Sequence, residues 1–292
     1  MTSASSVRAV DYWTLTKPEV NVLIGVTTAA GFCLGGAGHG HGLSIITLVH
    51  TVAGTLLVAG GTGTLNQLLE RRFDALMRRT AGRPVAAGRI APWQALIFGV
   101  VLAVTGTLEL AAAVNRLSSM LAVATMATYL LIYTPLKRKT PLCTMIGAIP
   151  GAAPPLIGWA GATGTLSGEA WVLYAMVFLW QFPHFMAIAW MYREDYRRAG
   201  YRVLPRDKPL VPFVMFQVMI PLLVLVPLSV TPVFFWHAGA VYLATALVLG
   251  AAFIYCAARL AVQQSNAAAR RLLTASIGYL PPILIVLMLD RA

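Results

Sequence analysis

Charged residues are scarce in this sequence, and acidic residues are the scarcest. Only 10 of its 292 residues are Asp or Glu, and all charged residues together make up 11%, against roughly 25% in a soluble domain. Hydrophobic residues make up 58%, and the mean hydropathy is +0.74. A water-soluble fold cannot bury that much apolar surface. The composition therefore excludes a soluble protein and predicts an all-α integral membrane protein.

Cysteine is also rare. Cys33, Cys143 and Cys256 each lie in or beside an apolar run, and their spacing matches neither a disulfide framework nor a metal-binding motif. The apolar run that begins near residue 20 lacks a small-residue cleavage pattern, so we interpret it as a first membrane span and not as a removable signal.

Basic residues, in contrast, give the chain a net charge of +12. In a soluble protein this excess would suggest nucleic-acid binding. Here the charges lie in the loops between apolar runs, where they are typical of the positive-inside rule and of contact with anionic membrane lipid. We therefore expect membrane lipid, and no nucleic acid, among the partners.

Apolar runs long enough to cross a hydrocarbon core of about 30 Å recur along the whole chain. They predict a single polytopic domain, residues 1–292, built as a bundle of nine transmembrane helices. The fifth span contains Pro150-Gly151-Ala152-Ala153-Pro154-Pro155, which must break or kink its helix. The predicted spans cover about residues 20–36, 43–62, 93–113, 118–135, 142–161, 170–190, 211–228, 232–256 and 272–289.

The distribution of Lys and Arg predicts the orientation. All 22 of these residues except Arg116 and Arg291 fall in the N-terminus or in the loops after the even-numbered spans. The positive-inside rule then places the N-terminus in the cytoplasm, the C-terminus on the opposite side, and loops at about 63–92, 136–141, 191–210 and 257–271 in the cytoplasm. Most acidic residues share that side, so we expect a polar cavity that opens to the cytoplasm.

The first acidic segment follows the second span. Asn66, Glu70 and Asp74 are spaced at i, i+4 and i+8, so a helix would align them on one face. Carboxylate and amide oxygens near a bilayer surface suit Mg²⁺, which typically binds one or two carboxylates together with substrate phosphates. Arg79 and Arg83 follow and are suited to phosphate oxygens. The alternative is a solvated helix end held by weak charge pairs.

The second segment follows the sixth span. If one continuous helix runs through it, His184, Tyr192 and Asp195 share a face, and Glu194 points aside. A polar residue inside a membrane helix suggests function, although His184 could be a hydrogen-bonded packing residue. Trp190 and Tyr196 could belong to the interfacial aromatic belt.

A third basic element, Lys137-Arg138-Lys139, ends the fourth span on the same predicted side. It could be a simple membrane anchor or an electrostatic partner for an anionic leaving group.

These residues resemble the UbiA-type superfamily of intramembrane prenyltransferases, over nearly the whole chain. The pattern Asn66-x-x-x-Glu70-x-x-x-Asp74, the run from Ile146 to Trp159, and Trp180-Gln181-Phe182-Pro183-His184-Phe185 are similar to the heme-modifying branch of that superfamily. Gln67 stands where many members have another Asp, and the second segment lacks their pair of Asp residues four apart. This departure supports the heme branch over the quinone branch.

The resemblance implies the residues of the site. The implied catalytic residues are Asp74, Asn66, Glu70, Asp195 and Tyr192. The implied metal ligands are Asn66, Glu70, Asp74 and Asp195. The implied substrate-binding residues are Arg79, Arg83, Lys137, Arg138, Arg193, His184, Glu194 and Lys17.

The resemblance also implies the reaction. Mg²⁺ would bind with the diphosphate, and the farnesyl group of farnesyl diphosphate would pass to the vinyl group of heme B with addition of water, giving heme O and diphosphate. Location in the inner cell membrane and hand-over of the product to a heme A synthase would follow.

Two other functions remain open. A related enzyme could prenylate a quinone or chlorophyll precursor. A secondary transporter would also have many spans, but it would carry ionisable groups near the midplane of the membrane, whereas the acids here crowd one side.

Overall fold

The computed structural model describes residues 8–38, 44–205 and 210–290, and every regular element within those ranges is a helix. In chain order the helices are α1 (Ala9–Leu15), α2 (Pro18–Gly38), α3 (Ile45–Asp74), α4 (Pro92–Glu109), α5 (Arg116–Ala127), α6 (Thr134–Leu136), α7 (Cys143–Gly151), α8 (Pro154–Thr163), α9 (Gly168–Met191), α10 (Arg193–Arg198), α11 (Leu210–Leu228), α12 (Pro232–Phe235), α13 (Ala240–Gln263) and α14 (Asn266–Leu289). Two π-helical turns, Leu110–Val114 and Thr128–Tyr133, follow α4 and α5.

Within the described ranges, eight helical segments are long and apolar enough to cross a membrane. The remaining predicted span, the fifth, is instead the pair α7 and α8, which are separated at Ala152 and Ala153. The break predicted from its proline and glycine residues is therefore confirmed. Large apolar side chains such as Leu131, Val248 and Phe216 are 74%, 66% and 64% exposed, as expected for a surface that faces lipid and not water.

Four helix boundaries differ from the prediction, and one of them is the start of the eighth span, which lies at Ala240 in α13 and not near residue 232. α3 continues to Asp74 instead of ending near residue 62, so the predicted loop at 63–92 begins only after that residue. α13 extends to Gln263 and α14 starts at Asn266, so the predicted loop at 257–271 shrinks to residues 264–265. The basic residues of that region lie on helices, because long cationic side chains can reach the interface from a helix end.

Glycine allows α2 and α8 to pack in direct backbone contact. A Cβ atom at Gly158 would overlap the carbonyl oxygen of Thr28, and one at Gly31 would overlap the carbonyl oxygen of Pro155. Small residues at such crossings are the usual means by which membrane helices approach closely. The pair positions α2, and with it the residues just before α2, against the bundle.

We expect Gly158→Ala to destabilise the protein by roughly 1–3 kcal/mol, because the added methyl group forces the two helices apart. Gly278→Ala is the matched control, since nothing lies within 4 Å of a Cβ at Gly278 and Ala favours the helix. Thermal unfolding in detergent measures both. Equal unfolding temperatures for the two variants would contradict this account of the crossing.

Candidate active site

α3 carries three buried polar side chains on one face near its C-terminus. Asn66, Glu70 and Asp74 are 1%, 5% and 1% exposed, and the helix runs unbroken through all three. The predicted alignment on one helical face is therefore present. Two carboxylates inside an apolar bundle need partners, because an isolated buried charge is very costly.

Glu70 lies at the centre of the resulting network. Its Oε1 is 2.6 Å from Lys137 Nζ and accepts a hydrogen bond from the Tyr201 hydroxyl at 2.9 Å. Its Oε2 accepts from Lys137 Nζ at 2.9 Å and from Asn66 Nδ2 at 3.0 Å. Burial alone would lower the pKa of Lys137, but the Glu70 carboxylate raises that pKa well above its ordinary value. Lys137 is therefore cationic in this pair.

Lys17 reaches the same network from the junction between α1 and α2. Its Nζ donates to Asn66 Oδ1 at 2.7 Å. Its backbone φ is +56°, a left-handed conformation that is uncommon for a residue with a side chain. Burial, together with the nearby positive charges of Arg83 and Lys137, lowers the pKa of Lys17 to about 7. An amine held among other cations is well placed to receive an anion.

Asp74 pairs with Arg83 in the turns that follow α3. A single guanidinium nitrogen of Arg83, Nη1, donates to both carboxylate oxygens, at 2.9 and 2.8 Å. The Thr80 hydroxyl donates to the Asp74 carbonyl at 3.0 Å and holds the turn. The Arg83 side chain is 22% exposed, whereas that of Asp74 is 1% exposed. Arg83, which solvent can reach, therefore covers the Asp74 carboxylate, which solvent cannot reach.

α10 brings the second acidic segment against the first. Asp195 is 7% exposed; its Oδ2 accepts from the Arg79 backbone N–H at 3.2 Å, and its Oδ1 is 3.4 Å from Arg198. The Arg79 guanidinium lies over the Tyr192 ring, 5.1 Å from its centroid. Two segments far apart in sequence therefore meet at the loop after α3.

The second segment is not one continuous helix. α9 ends at Met191, Tyr192 leaves the helical conformation with φ −107° and ψ 21°, and α10 starts afresh at Arg193. The prediction that His184, Tyr192 and Asp195 share one helical face is therefore wrong. His184 contacts α14, whereas Asp195 contacts the loop after α3.

Three other predicted residues lie outside the Glu70 network. Glu194 is exposed and pairs with Arg197 at 3.7 Å. Arg193 donates to the side chain of Asn266 on α14 at 2.8 Å. Arg138 is exposed and stacks on an aromatic ring near the end of α3. Their predicted roles in substrate binding stay predictions.

His184 lies on α9 and faces α14. Its Nδ1 is 2.8 Å from Ser276 Oγ, and its ring stacks on Trp180 with centroids 4.7 Å apart. The Ser276 hydroxyl donates its hydrogen to the Leu273 carbonyl at 2.6 Å. This arrangement assigns Nδ1 as the donor to Ser276, and in the neutral ring Nε2 is then unprotonated. An imidazole fixed in this way can accept a hydrogen bond or bind iron.

The acidic residues do not form a ready-made metal site. Within residues 8–38, 44–205 and 210–290, no three His, Cys, Asp or Glu side chains converge as metal ligands. Among the four predicted ligands, Glu70 and Asp74 are each paired with a cation, Asn66 binds Lys17, and Asp195 accepts from a backbone amide. The ligand set stays a prediction.

Sequence reasoning missed two contacts of this network. Tyr201 donates to Glu70 across 131 residues, and Thr134 Oγ1 accepts from Asn66 Nδ2 at 3.1 Å. Thr134 directly follows the second π-helical turn, a local distortion that is frequent at functional sites. No short-range pattern marks either contact, although Thr134 lies only three residues before the predicted Lys137.

The sequence profile of the UbiA prenyltransferase family matches residues 24–278, which include both acidic segments. The chain belongs to this family. A protoheme IX farnesyltransferase of Solibacter usitatus is 45% identical over 287 residues, covering 96% of this chain and 98% of the relative. A protoheme IX farnesyltransferase of Koribacter versatilis is 41% identical, covering 96% of this chain and 93% of the relative. The chain is accordingly a prenyltransferase.

Solved UbiA structures share the fold at low sequence identity. A digeranylgeranylglyceryl phosphate synthase superposes with a TM-score of 0.75 at 17% identity, covering 96% of this chain and 97% of the other. A UbiA homolog from Aeropyrum pernix K1 superposes with a TM-score of 0.71 at 17% sequence identity, covering 91% of this chain and 96% of the other. A UbiA homolog from Archaeoglobus fulgidus, bound to GPP and Mg²⁺, superposes with a TM-score of 0.58 at 16% sequence identity, covering 95% of this chain and 99% of the other. The predicted family, enzyme class and multi-pass helical fold are confirmed; the helix count and the side on which the cavity opens stay predictions.

Proposed function

We propose that this UbiA-family enzyme transfers the farnesyl group of farnesyl diphosphate to the vinyl group of heme B, with addition of water, to give heme O and diphosphate. The full-length similarity to protoheme IX farnesyltransferases supports this choice of substrates. One structural observation carries the proposal: Lys17, Lys137 and Arg83 converge on the oxygen-bearing face of α3.

The charges around this face favour an anion. Lys137 and Arg83 balance the two carboxylates, Glu70 and Asp74, and Lys17, with a pKa of about 7, adds a partial positive charge to the site at neutral pH. A diphosphate would draw the ammonium and guanidinium groups to its own oxygens, because charge-assisted hydrogen bonds to phosphate are strong. Arg79 and Arg138 lie at the same end of the bundle and are proposed as further phosphate contacts.

The donors on α3 fit Mg²⁺. Asn66, Glu70 and Asp74 supply hard oxygens, and Asp195 on α10 contacts the loop after α3 through the Arg79 backbone amide; Mg²⁺ is usually held by one or two carboxylates plus substrate phosphates. The A. fulgidus homolog was solved with a prenyl diphosphate and Mg²⁺. When bound, Mg²⁺ would neutralise negative charge on the departing diphosphate.

The protein's part in the chemistry is to bind, orient and exclude water. The bond between C1 of the farnesyl group and the diphosphate oxygen breaks, and the diphosphate keeps the electron pair. The terminal vinyl carbon of heme then bonds to C1 of the allylic cation. Positive charge moves to the carbon beside the porphyrin, where water adds and a proton is lost. Apolar walls would protect the cation from early capture by water.

We propose that heme binds on the α9–α14 side of the site. The unprotonated Nε2 of His184 would bind the iron or accept a polar contact from the heme. Arg193 and Glu194, at the start of α10, are proposed as contacts at the rim of this site, and Tyr192 and Asp195 as residues that join it to the loop after α3.

Product analysis tests the reaction. Purified protein is incubated with heme B, farnesyl diphosphate and Mg²⁺, and the heme fraction is analysed by mass spectrometry. We expect a mass gain of one farnesyl group plus one hydroxyl group, because the water that adds to the vinyl carbon loses a proton. A parallel incubation offers aromatic quinone and chlorophyll precursors as acceptors. Prenylation of one of these, with heme B unchanged, would contradict the proposal and favour the related activity.

We also propose that the basic loops face the cytoplasm of the inner membrane and that heme O passes to a heme A synthase. The orientation can be tested in a variant whose three native cysteines are replaced. Cysteines introduced at Gly82 and Arg197 should react with an impermeant thiol reagent only from the cytoplasm, and one at Gly168 only from the other side. Labelling of Gly82→Cys and Arg197→Cys from opposite sides would contradict the orientation.

A further inference from the structure

Tyr201 lies outside every motif considered above, yet its side chain ends on the central acid of the site. It is 4% exposed, and its hydroxyl donates to Glu70 Oε1 at 2.9 Å. The turn after α10 makes this possible: Gly200 has φ +73°, a conformation that glycine adopts without strain. The Tyr201 N–H then donates to the Tyr196 carbonyl at 2.9 Å and closes the turn.

The same turn also contacts Lys137, the ion-pair partner of Glu70. The N–H of Arg202 donates to the backbone carbonyl of Lys137 at 2.7 Å, and the Lys137 ammonium lies 5.9 Å from the centroid of the Tyr201 ring. Two consecutive residues therefore contact both members of the Glu70–Lys137 ion pair. The ring of Tyr201 also packs beside Phe73, on the last turn of α3.

We propose that Tyr201 is a positioning residue for the diphosphate site, which fixes the Glu70 carboxylate and couples the turn after α10 to α3. This rests on the proposed function. Once an anion draws Lys137 away, the Glu70 carboxylate faces only the proposed metal ion and neutral donors, and any lone pair of a buried carboxylate left without a donor is costly. Tyr201 and Asn66 are the neutral donors that remain. The phenol therefore keeps Glu70 oriented in the state in which substrate is bound.

The test compares Tyr201→Phe with Tyr196→Phe. Both variants remove one hydroxyl from the same turn, but only the Tyr201 hydroxyl donates to Glu70. Binding of Mn²⁺ together with farnesyl thiodiphosphate is followed by electron paramagnetic resonance, heme B binding by absorbance, and stability by thermal unfolding. We expect Tyr201→Phe to weaken Mn²⁺–diphosphate binding by about tenfold and to raise KM for farnesyl diphosphate more than it lowers kcat. We expect Tyr196→Phe to stay within about twofold of the wild type.

The other readouts separate positioning from simple packing. Heme B affinity should be the same in both variants as in the wild type, whereas Tyr201→Phe alone should lower the unfolding temperature, because it removes a buried hydrogen bond to the Glu70 carboxylate. Unchanged Mn²⁺–diphosphate binding in Tyr201→Phe, or an equal loss of heme affinity, would overturn the inference. A wild-type protein that binds the diphosphate but forms no heme O would overturn the proposed reaction and leave the role of Tyr201 standing. A wild-type protein that does not bind the diphosphate would overturn both.

Discussion

Replacing Asp74 by Asn is expected to lower turnover by about a hundredfold or more, while the protein still folds and inserts into the membrane. Asp74 is 1% exposed, and its carboxylate is held by Arg83. Asn keeps the volume but removes the negative charge. If the carboxylate helps to hold Mg²⁺ against the leaving group, losing it removes one preorganised electrostatic contact, and losses of that kind cost about a hundredfold or more.

The chain offers a matched control in Asp11. That acid is also buried, at 4% exposure, and also pairs with an arginine of the segment after α3: Arg89 Nε donates to Asp11 Oδ1 at 2.8 Å. Each Asp→Asn change should cost roughly 1–2 kcal/mol of stability through a weakened charged hydrogen bond. Only Asp74→Asn should lower turnover and shift its dependence on Mg²⁺ concentration. A near-normal rate with an unchanged Mg²⁺ dependence would remove Asp74 from the metal site.

Replacing His184 by Ala is expected to weaken heme B binding by at least about tenfold, and turnover with it. The ring is held by Ser276 and Trp180 so that Nε2 is left unprotonated, which is the form of imidazole that binds heme iron. Absorbance titration in detergent measures the affinity directly. Binding of farnesyl thiodiphosphate should be unaffected, because the proposed diphosphate site is formed by other elements.

Two comparisons distinguish an iron ligand from a packing residue. His50→Ala removes a histidine that pairs with Glu109 and lies in the N-terminal half of α3, the half away from Glu70 and Asp74. This change should leave heme binding unchanged. Added imidazole should restore the heme spectrum of His184→Gly if the missing ring bound iron. Normal heme affinity in His184→Ala would favour the packing interpretation and exclude the histidine from the heme site.

Those parts of the fold that depend on local patterns could be predicted. The spacing of Asn66, Glu70 and Asp74 placed them on one face because a single helix contains all three. The proline-rich run correctly predicted the break between α7 and α8, since proline cannot continue the hydrogen-bond ladder of the helix before it. Basic residues were a poorer guide to helix ends. Arg270 and Arg271 lie inside α14, because a long side chain tolerates such a position near the interface.

Other parts depend on contacts between distant segments and leave no local pattern. The break at Tyr192 has neither proline nor glycine beside it, and the helix that follows places Asp195 on the Arg79 amide. The Tyr201 contact requires the turn at Gly200 and the approach of α3 at the same time. Side-chain periodicity carries no information about contacts between distant segments. The arrangement of side chains in the site could therefore not be derived from the sequence.

The resting ion pairs on α3 also bear on how each catalytic cycle ends. Diphosphate is a multiply charged product, and a site built only of cations would hold it tightly. Here Arg83 and Lys137 have carboxylates of their own to return to. If the diphosphate binds these cations as proposed, the protein competes with its own product for the same positive charges, and each ion pair that re-forms favours departure of the anion. We expect this exchange to speed product release, a step that limits the turnover of many enzymes.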